Sequence, residues 1–385
     1  MENDHPPVPN PRSIVEYFEE ILDPRVDRTR AHKLVDVLVI GLCSILTGGE
    51  GFNDMELFGT TRFDWLKTFL ALPHGIPSHD TFNRVFSAID PHCFLDCFVR
   101  WVQGICPTLA GDVVGIDGKA LRHALNDGAS IPYIVSAWAS ENGLALGQVK
   151  VDDKSNEITA IPELLEILDL QGCIVTIDAM GCQKDIAAQI IDKKADYVLA
   201  LKGNHATIHK EIEQFFADAV PPCATEAATT VTPDTMGFCQ TVDKGHGRIE
   251  TRRYWQSTDI DWMEDKKLWK HLCGIGMVES IRRVKGKNSI ERRYYLVSLP
   301  LQPITFAKAV RGHWGVENPL HWSLDVTFRE DYSRARCKNA AQNLATLRRI
   351  ALNLIKKNPR QKVSQRQKRI LAALDFSFLE QLLGI

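Results

Sequence analysis

The stretch CIVTIDAMGCQKDIAAQIIDKKADYVLALKGN, residues 173–204, decides the fold class. Cys173–Ile177 is a continuous apolar run, typical of a buried strand, and it ends at Asp178. Lys184–Lys194 has apolar residues at helical spacing, and Tyr197–Leu201 is a second apolar strand. Because strands alternate here with a helix, we predict a sheet that is covered by helices.

The residues upstream of this stretch add three strands and a helix. The strands are predicted at Asp112–Asp117, Tyr133–Ala139 and Leu144–Val151, with a turn at residues 141–143. An amphipathic helix is predicted at Ile158–Leu170. The resulting order, β-β-β-α-β-α-β, matches the ribonuclease-H-like fold. We therefore expect an α/β protein built on a ribonuclease-H-like mixed sheet.

Residues 1–108 predict an all-helical N-terminal domain, which is a candidate DNA-binding domain. Glycines and prolines separate segments that have apolar residues at helical spacing. The predicted helices are Val15–Leu22, Leu34–Leu46, Trp65–Leu72, His79–Ile89 and Phe94–Ile105. Ser78 is expected to cap the fourth of these helices. That helix contains one basic residue, Arg84, which favours a structural role over entry into a DNA groove.

The chain after the first part of the core, residues 109–204, divides into three further parts. Residues 205–302 predict a β-rich insertion. Its predicted elements are a helix near His209–Ala217 and a hairpin of Val278–Lys285 with Ser289–Ser298. Residues 303–345 return to helical spacing and are expected to complete the core. Residues 346–385 predict a basic helical C-terminal tail.

The bulk composition excludes several classes of protein. The chain of 385 residues has a net charge of −2 and contains no apolar run long enough for a transmembrane helix. Its N-terminus, Met1 to Arg12, is polar and proline-rich and lacks the apolar core of a secretory signal. The 10 cysteines are scattered without a CxxC pair, which favours reduced thiols over a zinc site. We therefore expect a cytoplasmic protein without a membrane partner.

Two aspartates follow apolar strands at matching positions. Asp117 ends the first predicted strand, and Asp178 ends the fourth. Catalytic groups collect at strand ends in α/β sheets, and carboxylates on neighbouring strands can hold two Mg²⁺ ions about 3.5–4 Å apart. Mg²⁺ prefers oxygen ligands. The alternative is that each aspartate only begins a turn, as an Asp-Gly pair such as Asp117-Gly118 often does.

A third polar cluster lies in RGHWGVENPLHW, residues 311–322. On a helix, His313, Glu317 and His321 recur every four residues and share one face. This pattern is also compatible with a plain polar helix face, or with zinc bound by His-Glu-His, although the HExxH motif of zinc peptidases is absent. Pro319 would either disturb a continuous helix or begin a new one.

Several longer motifs occur in a fixed order along the chain. They are GIDGKALR (115–122), VTIDAMGCQKDIA (175–187), DYVLALKGNH (196–205), HGRIETRRY (246–254) and RGHWGVENPLHWSLDVTFRED (311–331). On these motifs the chain resembles the bacterial H-repeat-associated transposases, within the superfamily of DDE insertion-sequence transposases. Two N-terminal segments, HKLVDVLVIGLCSILTGGEGFNDMELFG and IPSHDTFNRVF, resemble the helical leader domain of that family.

The resemblance implies both a fold and an activity. It implies a ribonuclease-H-like catalytic core with a β-rich insertion before the last catalytic helix. It assigns Asp117, Asp178 and Glu317 to a catalytic and metal-binding triad for two Mg²⁺ or Mn²⁺ ions. It further implies a DNA transposase that binds transposon ends and catalyses phosphodiester cleavage and strand transfer. Double-stranded DNA, as ends and as target, would be the partner, and the reaction class suggests a homodimer in the synaptic complex.

One part of the superfamily pattern is missing around Glu317. An Arg is expected four residues before it and a Lys seven residues after it, but His313 and Leu324 stand there. Arg311 is the candidate replacement for phosphate binding. The backup candidates for the third carboxylate are Asp325 and Asp331.

Candidate DNA contacts lie at several points along the chain. They are Lys202, His246, Arg248, Arg252, Arg253, Arg311, His313 and Trp314. For residues 246–253 the alternative is a solvated strand face, and for Lys202 it is a plain surface lysine. Trp314 and Trp322 could stack on an unpaired base or pack in the core. The stretch Lys356–Arg369 could follow phosphates or be a solvated helix.

Two other functions compete with an active transposase. The first is a catalytically decayed relative that binds DNA ends without cutting them. The second is a ribonuclease-H-like nuclease that hydrolyses DNA without strand transfer. All three candidate carboxylates are present, which favours an active enzyme.

Overall fold

Nine strands form one mixed sheet in the computed structural model, which describes residues 12–106, 108–121, 132–151, 157–220, 234–245, 247–284, 287–360 and 362–385. The strands are β1 (Val113–Ala120), β2 (Tyr133–Ala139), β3 (Leu144–Val151), β4 (Ile174–Ile177), β5 (Asp196–Leu201), β6 (Met236–Gly245), β7 (Arg248–Ser257), β8 (Gly274–Val284) and β9 (Lys287–Val297). Across the sheet their order is β3-β2-β1-β4-β5-β9-β8-β7-β6.

The first five strands have the ribonuclease-H-like arrangement that the sequence predicts. β1 pairs antiparallel with β2, and β2 with β3, whereas β4 is parallel to both β1 and β5. The bounds of β2 and β3 agree with the predicted ones. The prediction that the first strand ends at Asp117 is wrong. β1 continues to Ala120 because β2 pairs with it over that whole length.

The β-rich insertion extends the core sheet and does not form a separate one. β9 pairs antiparallel with β5, and β8, β7 and β6 follow as an antiparallel meander. The predicted hairpin is confirmed, since β8 and β9 pair from Gly274 with Val297 to Val284 with Lys287. One continuous sheet therefore connects the insertion to the core.

Helices cover both faces of the sheet. One face carries α7 (Glu157–Ile167), α8 (Lys184–Asp192) and α9 (Ala206–Ala219), and the other carries α10 (Pro303–Gly315). Successive side chains of a strand point to opposite faces. Val114 and Ile116 of β1 therefore lie in the core beneath α7, whereas Val113 packs in the cluster that contains Phe306 and Val310 of α10.

The remaining helices come from both ends of the chain and pack together. They are α1 (Ile14–Glu19), α2 (Leu34–Thr47), α3 (Phe52–Thr61), α4 (Phe63–Leu66), α5 (His79–Ala88), α6 (Pro91–Ile105), α11 (Ala340–Lys357), α12 (Gln365–Leu374) and α13 (Phe376–Leu383). α11 packs against α2, α5 and α6, and α12 packs against α2. The predicted boundary between residues 345 and 346 falls inside α11, so the C-terminal residues are part of the helical core.

The N-terminal helices agree with the prediction except in one region. Ser78 caps α5 as expected, since its Oγ accepts a hydrogen bond from the Thr81 amide. The predicted helix Trp65–Leu72 is wrong, because α4 ends at Leu66 and Leu72 has a φ of 40°. The apolar residues there fill the core from turns. α3, which precedes them, is absent from the predicted set.

Within the described residues, no single helix is both long and apolar enough to cross a membrane, although α2 and α3, bent by 95° relative to each other, pass that test jointly. Most side chains of α2 are buried in the helical core.

Candidate active site

Asp117 and Asp178 occupy equivalent positions on adjacent parallel strands. Ile116 of β1 is in register with Ile177 of β4, and each aspartate is the next residue. Both aspartates therefore lie on the sheet face that α10 covers. Asp178 also begins a turn, since its Oδ1 accepts a hydrogen bond from the Met180 amide at 3.0 Å. Asp178 therefore begins a turn and also lines the cavity, whereas Asp117 lies inside β1 and begins no turn.

Three glycines allow α10 to approach β1 and the end of β2 closely. A Cβ on Gly312 would lie 2.7 Å from Cγ1 of Val113, and a Cβ on Gly315 would lie 2.9 Å from Cδ1 of Trp138. On the strand, a Cβ on Gly115 would lie 3.3 Å from the His313 carbonyl oxygen. These contacts leave no room for larger side chains, so the helix backbone lies directly on the strand and brings Glu317 to the aspartates.

The segment that carries Glu317 is a π-helix, Val316–Thr327, which follows α10 without a break. Hydrogen bonds in a π-helix join residues five apart, as between the Phe328 amide and the Ser323 carbonyl at 3.2 Å. Pro319 lies inside this segment and has no amide hydrogen to donate. The prediction that Pro319 disturbs a continuous helix is confirmed, since the helix continues there in the wider π form, whereas the alternative that Pro319 begins a new helix is wrong. π-Helical turns are rare and occur frequently at functional sites.

All three carboxylates open onto one cavity of about 410 Å³. Its other lining residues include Thr176, Lys202, His209, Arg293, Tyr295, His313 and Trp314. The cavity lies between the carboxyl ends of β4 and β5, strand β9 and the end of α10. Polar groups from five separate segments of the chain therefore meet at this point.

The carboxylates influence one another electrostatically. Burial raises the pKa of Asp117 to about 7, and the negative charges of Asp178 and Glu317 add to this rise. Burial also raises the pKa of Glu317. The positive charges of Arg293 and Lys202 partly oppose that second shift. The cavity is therefore a place where negative charge is crowded and where a cation would be favoured.

Two largely buried histidines flank the carboxylates. Nδ1 of His313 lies 3.2 Å from Oγ1 of Thr176, and Nδ1 of His321 lies 3.7 Å from Oδ2 of Asp117. Burial lowers the pKa of His313, and it lowers the pKa of His321 to about 3. Both imidazoles are therefore neutral at physiological pH and can accept or donate a hydrogen bond.

The carboxylate oxygens that line the cavity are compatible with a divalent cation, although they do not form a preassembled three-ligand site. Among the described residues, no three His, Cys, Asp or Glu side chains are close enough together to hold one ion. The imidazoles of His313 and His321 are directed to different partners, which argues against a His-Glu-His zinc site. Mg²⁺ usually takes one or two carboxylates and completes its shell with water and substrate phosphate oxygens. Carboxylates that share one cavity suit that kind of coordination.

The two backup carboxylates are engaged elsewhere. Oδ1 of Asp325 lies 2.7 Å from Nζ of Lys119, and Oδ1 of Asp331 lies 2.9 Å from the same atom. Neither residue lines the cavity that contains Glu317. The geometry therefore favours Glu317 over Asp325 and Asp331 as the third carboxylate.

Comparison with known proteins identifies the family. The profile described as "DDE_Tnp_1-associated" matches residues 15–102, and the profile described as "Transposase DDE domain" matches residues 116–354. This chain belongs to the DDE transposase family. The family resemblance inferred from the sequence motifs is thereby confirmed.

Some relatives of this transposase align along almost the whole chain. "Putative transposase YncI" of Escherichia coli O157:H7 is 39% identical over 97% of this chain and 95% of its own length. "H repeat-associated putative transposase YhhI" of Escherichia coli K12 is 37% identical over 97% and 98%, respectively. A solved piggyBac transposase synaptic complex with hairpin DNA aligns with a TM-score of 0.42 and 12% identity, over 96% of this chain and 80% of that one.

A second cavity of the transposase, of about 680 Å³, adjoins the first and runs along the insertion. We call it the insertion groove. Both cavities share Arg293, Tyr295 and Trp314. Basic side chains from β6, β7, β8 and α10 line the groove, namely Lys244, Arg248, Arg252, Arg282 and Arg311. The groove therefore leads from an arginine-rich sheet face to the carboxylates.

The predicted DNA contacts are divided between two faces of the sheet. Arg248 and Arg252 line the insertion groove, as does Arg311. Arg253 lies on the opposite face, where its guanidinium contacts Glu279 at 3.4 Å. The sequence treats all of these arginines alike because strand parity alone does not say which face is covered. His246 lies outside the described residues.

Acidic side chains neutralise part of the groove. Arg252 forms ion pairs with Asp243 at 2.5 Å and Glu250 at 2.6 Å, and Arg311 lies 3.9 Å from Asp243. These pairs are partly exposed, so each contributes little to stability. In the structure the Arg252 guanidinium is directed toward Asp243 and Glu250.

The remaining candidate DNA-contact residues lie in different environments. Lys202, His313 and Trp314 line the carboxylate cavity. Trp322 is 58% exposed, so the core-packing alternative is wrong for it. In the basic stretch Lys356–Arg369 several cations are used for packing: Lys368 donates to two main-chain carbonyls, and Arg369 donates to the carbonyl of Ile45. Neither the phosphate-tracking nor the solvated-helix interpretation describes those two residues.

Sequence reasoning did not find several residues of the site. Arg293 lies over the Trp314 ring, with its guanidinium carbon 5.1 Å from the ring centroid, and Thr176 holds His313. The run Glu291-Arg292-Arg293-Tyr294-Tyr295 indicated a strand with one arginine on each face, but the neighbouring elements were needed to decide which arginine faces the carboxylates.

Proposed function

We propose that this chain is an active DNA transposase that cleaves phosphodiester bonds at transposon ends and joins them to target DNA. Asp117, Asp178 and Glu317 are its catalytic carboxylates. The observation that carries the proposal is their meeting in one cavity from three distant segments of the chain. The raised pKa of Asp117, which reflects burial and then the two other charges, supports the same grouping.

Two Mg²⁺ or Mn²⁺ ions are the cofactors we propose, held by these three carboxylates. When bound, the ions would activate water or a 3′-hydroxyl group and stabilise the leaving oxygen. The chemistry of the donor set supports this choice, since oxygen ligands in a water-accessible cavity suit Mg²⁺.

The other cavity residues act on the substrate and on the carboxylates. Lys202 and Arg293 supply positive charge beside Glu317, where they can bind the non-bridging oxygens of the scissile phosphate. The neutral imidazole of His321 faces Asp117 and limits its side-chain rotation. His313, fixed by Thr176, closes the cavity between β4 and α10.

Double-stranded DNA is the partner, and we propose that it follows the insertion groove to the carboxylates. Arginines at the groove contact phosphates, which positions the duplex without reading its sequence. Arg293 and Trp314 mark the junction of the groove and the cavity. Because transposition joins two ends in one reaction, we expect a homodimer in the synaptic complex.

An excision assay tests the proposal. A plasmid carries the gene's own flanking DNA around a marker, and excision is measured for wild type, Asp117→Asn, Asp178→Asn and Glu317→Gln. Each of these variants should lose excision by at least about 100-fold, because electrostatic stabilisation of the transition state depends on the full set. Glu163→Gln, which changes an exposed carboxylate on α7, is the matched control and should excise normally.

The same assay separates the competing functions. A decayed relative would bind the flanking DNA but give equal, background excision for wild type and Asp117→Asn. A nuclease without strand transfer would cleave an end oligonucleotide in a triad-dependent manner but yield no joined product.

A further inference from the structure

Behind the carboxylate cavity lies a largely buried set of charged side chains that the proposed mechanism does not use. Lys119 is at its centre, on β1 two residues beyond Asp117 and on the same face. Its ammonium contacts Asp325 at 2.7 Å, Asp331 at 2.9 Å and Glu330 at 3.3 Å. One cation from the catalytic strand therefore binds three carboxylates from the chain that follows Glu317.

The contacts continue to two further elements. Glu330 is fully buried, and its Oε1 accepts a hydrogen bond from Nη1 of Arg349 on α11 at 3.0 Å. Nη2 of Arg349 donates to Oγ of Ser136 at 3.1 Å, and Ser136 is paired in register with Asp117. We call Lys119, Asp325, Glu330, Asp331 and Arg349 the ionic cluster. It joins β1, β2, the end of the π-helix and α11.

The opposite charges of the ionic cluster stabilise one another. Although burial opposes the charged form, Arg349, Lys119 and Arg348 hold the pKa of Glu330 at about 2. Burial likewise lowers the pKa of Lys119, but the surrounding carboxylates raise it overall. Glu330 and Lys119 therefore favour their charged forms in this cluster.

Such a cluster adds little to the free energy of unfolding by itself. The desolvation of buried ions often cancels their mutual attraction, and apolar residues of similar volume can be as stable. Buried ions do, however, accept few alternative arrangements, because breaking one contact leaves an uncompensated charge. A cluster of this kind fixes the relative position of the elements that it joins.

We propose that the ionic cluster positions the π-helix so that Glu317 and His321 face Asp117 across the metal site. Lys119 anchors the π-helix at Asp325, which follows His321 by four residues, and Arg349 anchors the strand pair at Ser136. Lys119 and its partners are thus positioning residues that touch neither substrate nor metal. The inference rests on the proposed function, because it concerns the same carboxylates.

Mn²⁺ binding without DNA tests this role. Calorimetric titration of the full chain with Mn²⁺ compares wild type, Lys119→Met and Arg25→Met. Arg25→Met breaks an ion pair with Asp23, 2.6 Å long and also largely buried, in the N-terminal helical region remote from the cavity. Lys119→Met should weaken Mn²⁺ binding at least ten-fold, as loss of outer-shell support commonly does. Arg25→Met should bind Mn²⁺ as wild type does, even if its melting temperature falls.

Conservative variants keep the test decisive if Lys119→Met does not fold. Lys119→Arg retains the positive charge, so its Mn²⁺ affinity should lie within about three-fold of wild type. Asp325→Asn removes the carboxylate that Lys119 contacts on the π-helix, so it should weaken Mn²⁺ binding. In strand cleavage, Asp325→Asn should lower kcat and leave KM for DNA unchanged. Equal Mn²⁺ affinity in wild type, Lys119→Met and Asp325→Asn would overturn the positioning role. If wild type itself binds no Mn²⁺, or binds it independently of Asp117, the proposed function fails as well.

Discussion

The imidazole of His321 lies with Nδ1 3.7 Å from Oδ2 of Asp117, yet the two groups do not form an ion pair at neutral pH. Burial lowers the pKa of the imidazole to about 3, and it raises the pKa of the carboxyl to about 7 together with the charge of Asp178. The His321 imidazole therefore does not neutralise the Asp117 carboxylate, whose charged form is disfavoured by burial and by the charge of Asp178.

This charge predicts a pH-dependent gain in stability for Asp117→Asn. A carboxyl whose pKa rises from 3.8 to about 7 on folding destabilises the folded state progressively between those two pH values. Without divalent ions, the variant should melt a few degrees above wild type at pH 8. The gain should be smaller at pH 5.5. Differential scanning fluorimetry measures both values. If the variant were less stable than wild type, or if its gain in stability did not change with pH, the charged Asp117 carboxylate would not destabilise the folded state.

The insertion groove predicts a difference between neighbouring arginines. Arg248→Ala and Arg252→Ala should weaken binding to duplex DNA that carries the transposon-end sequence. The slope of log affinity against log salt concentration should become shallower by about 0.9 for every phosphate that a variant no longer neutralises. Arg253→Ala, one position away on the opposite face, should change affinity by less than two-fold. Fluorescence anisotropy across a range of salt concentrations measures these effects. An equally large effect of Arg253→Ala would place the DNA elsewhere.

The contact between α10 and β1 predicts that Gly312→Ala is harmful. Alanine normally favours a helix, but here its Cβ would lie 2.7 Å from Val113 and would push α10 away from the strand. We expect a loss of roughly 1–3 kcal/mol in the free energy of unfolding, as in other overpacked sites. Excision should fall more than stability explains, because Glu317 moves with the helix. Urea denaturation together with the excision assay checks this.

Gly51→Ala is the control for that prediction. No atom lies within 4 Å of a Cβ at Gly51, so this change should leave excision intact. Normal excision by Gly312→Ala would mean that the close approach of α10 is not required.

The donor set predicts which metal supports activity. Chelation by EDTA should abolish cleavage, and Mg²⁺ or Mn²⁺ should restore it, because these ions accept carboxylate, phosphate and water oxygens. Elemental analysis of the purified protein should find less than roughly one zinc ion in ten chains, since the imidazoles of His313 and His321 contact Thr176 and Asp117 and do not converge on one point. Stoichiometric, tightly held zinc would contradict the oxygen-ligand site.

The order of strands and helices along the chain was predictable because each element has its own local sequence pattern. The apolar runs that end near Asp117 and Asp178 are each short and continuous, and the helices between them have clear spacing. Their pairing follows from the fold class. Glu317 was harder to place, because Pro319 excludes an ordinary helix and a π-helix has no clear sequence signal.

The ionic cluster was not predictable from sequence, because its contacts span long separations. Lys119 and Glu330 are 211 residues apart, and nothing near either residue indicates the other. The same limit applies to Arg293 and Arg253. Each lies on a strand with alternating exposure, and only the position of α10 decides which of them faces the carboxylates.

The most direct test of the catalytic assignment is the location of Mn²⁺ in crystals of this transposase bound to end DNA. Anomalous diffraction at the manganese edge gives those positions independently of any assay. We predict peaks in the carboxylate cavity, at roughly 2.1 Å from oxygens of Asp117, Asp178 and Glu317. Manganese bound elsewhere, with these three side chains free of it, would contradict the account.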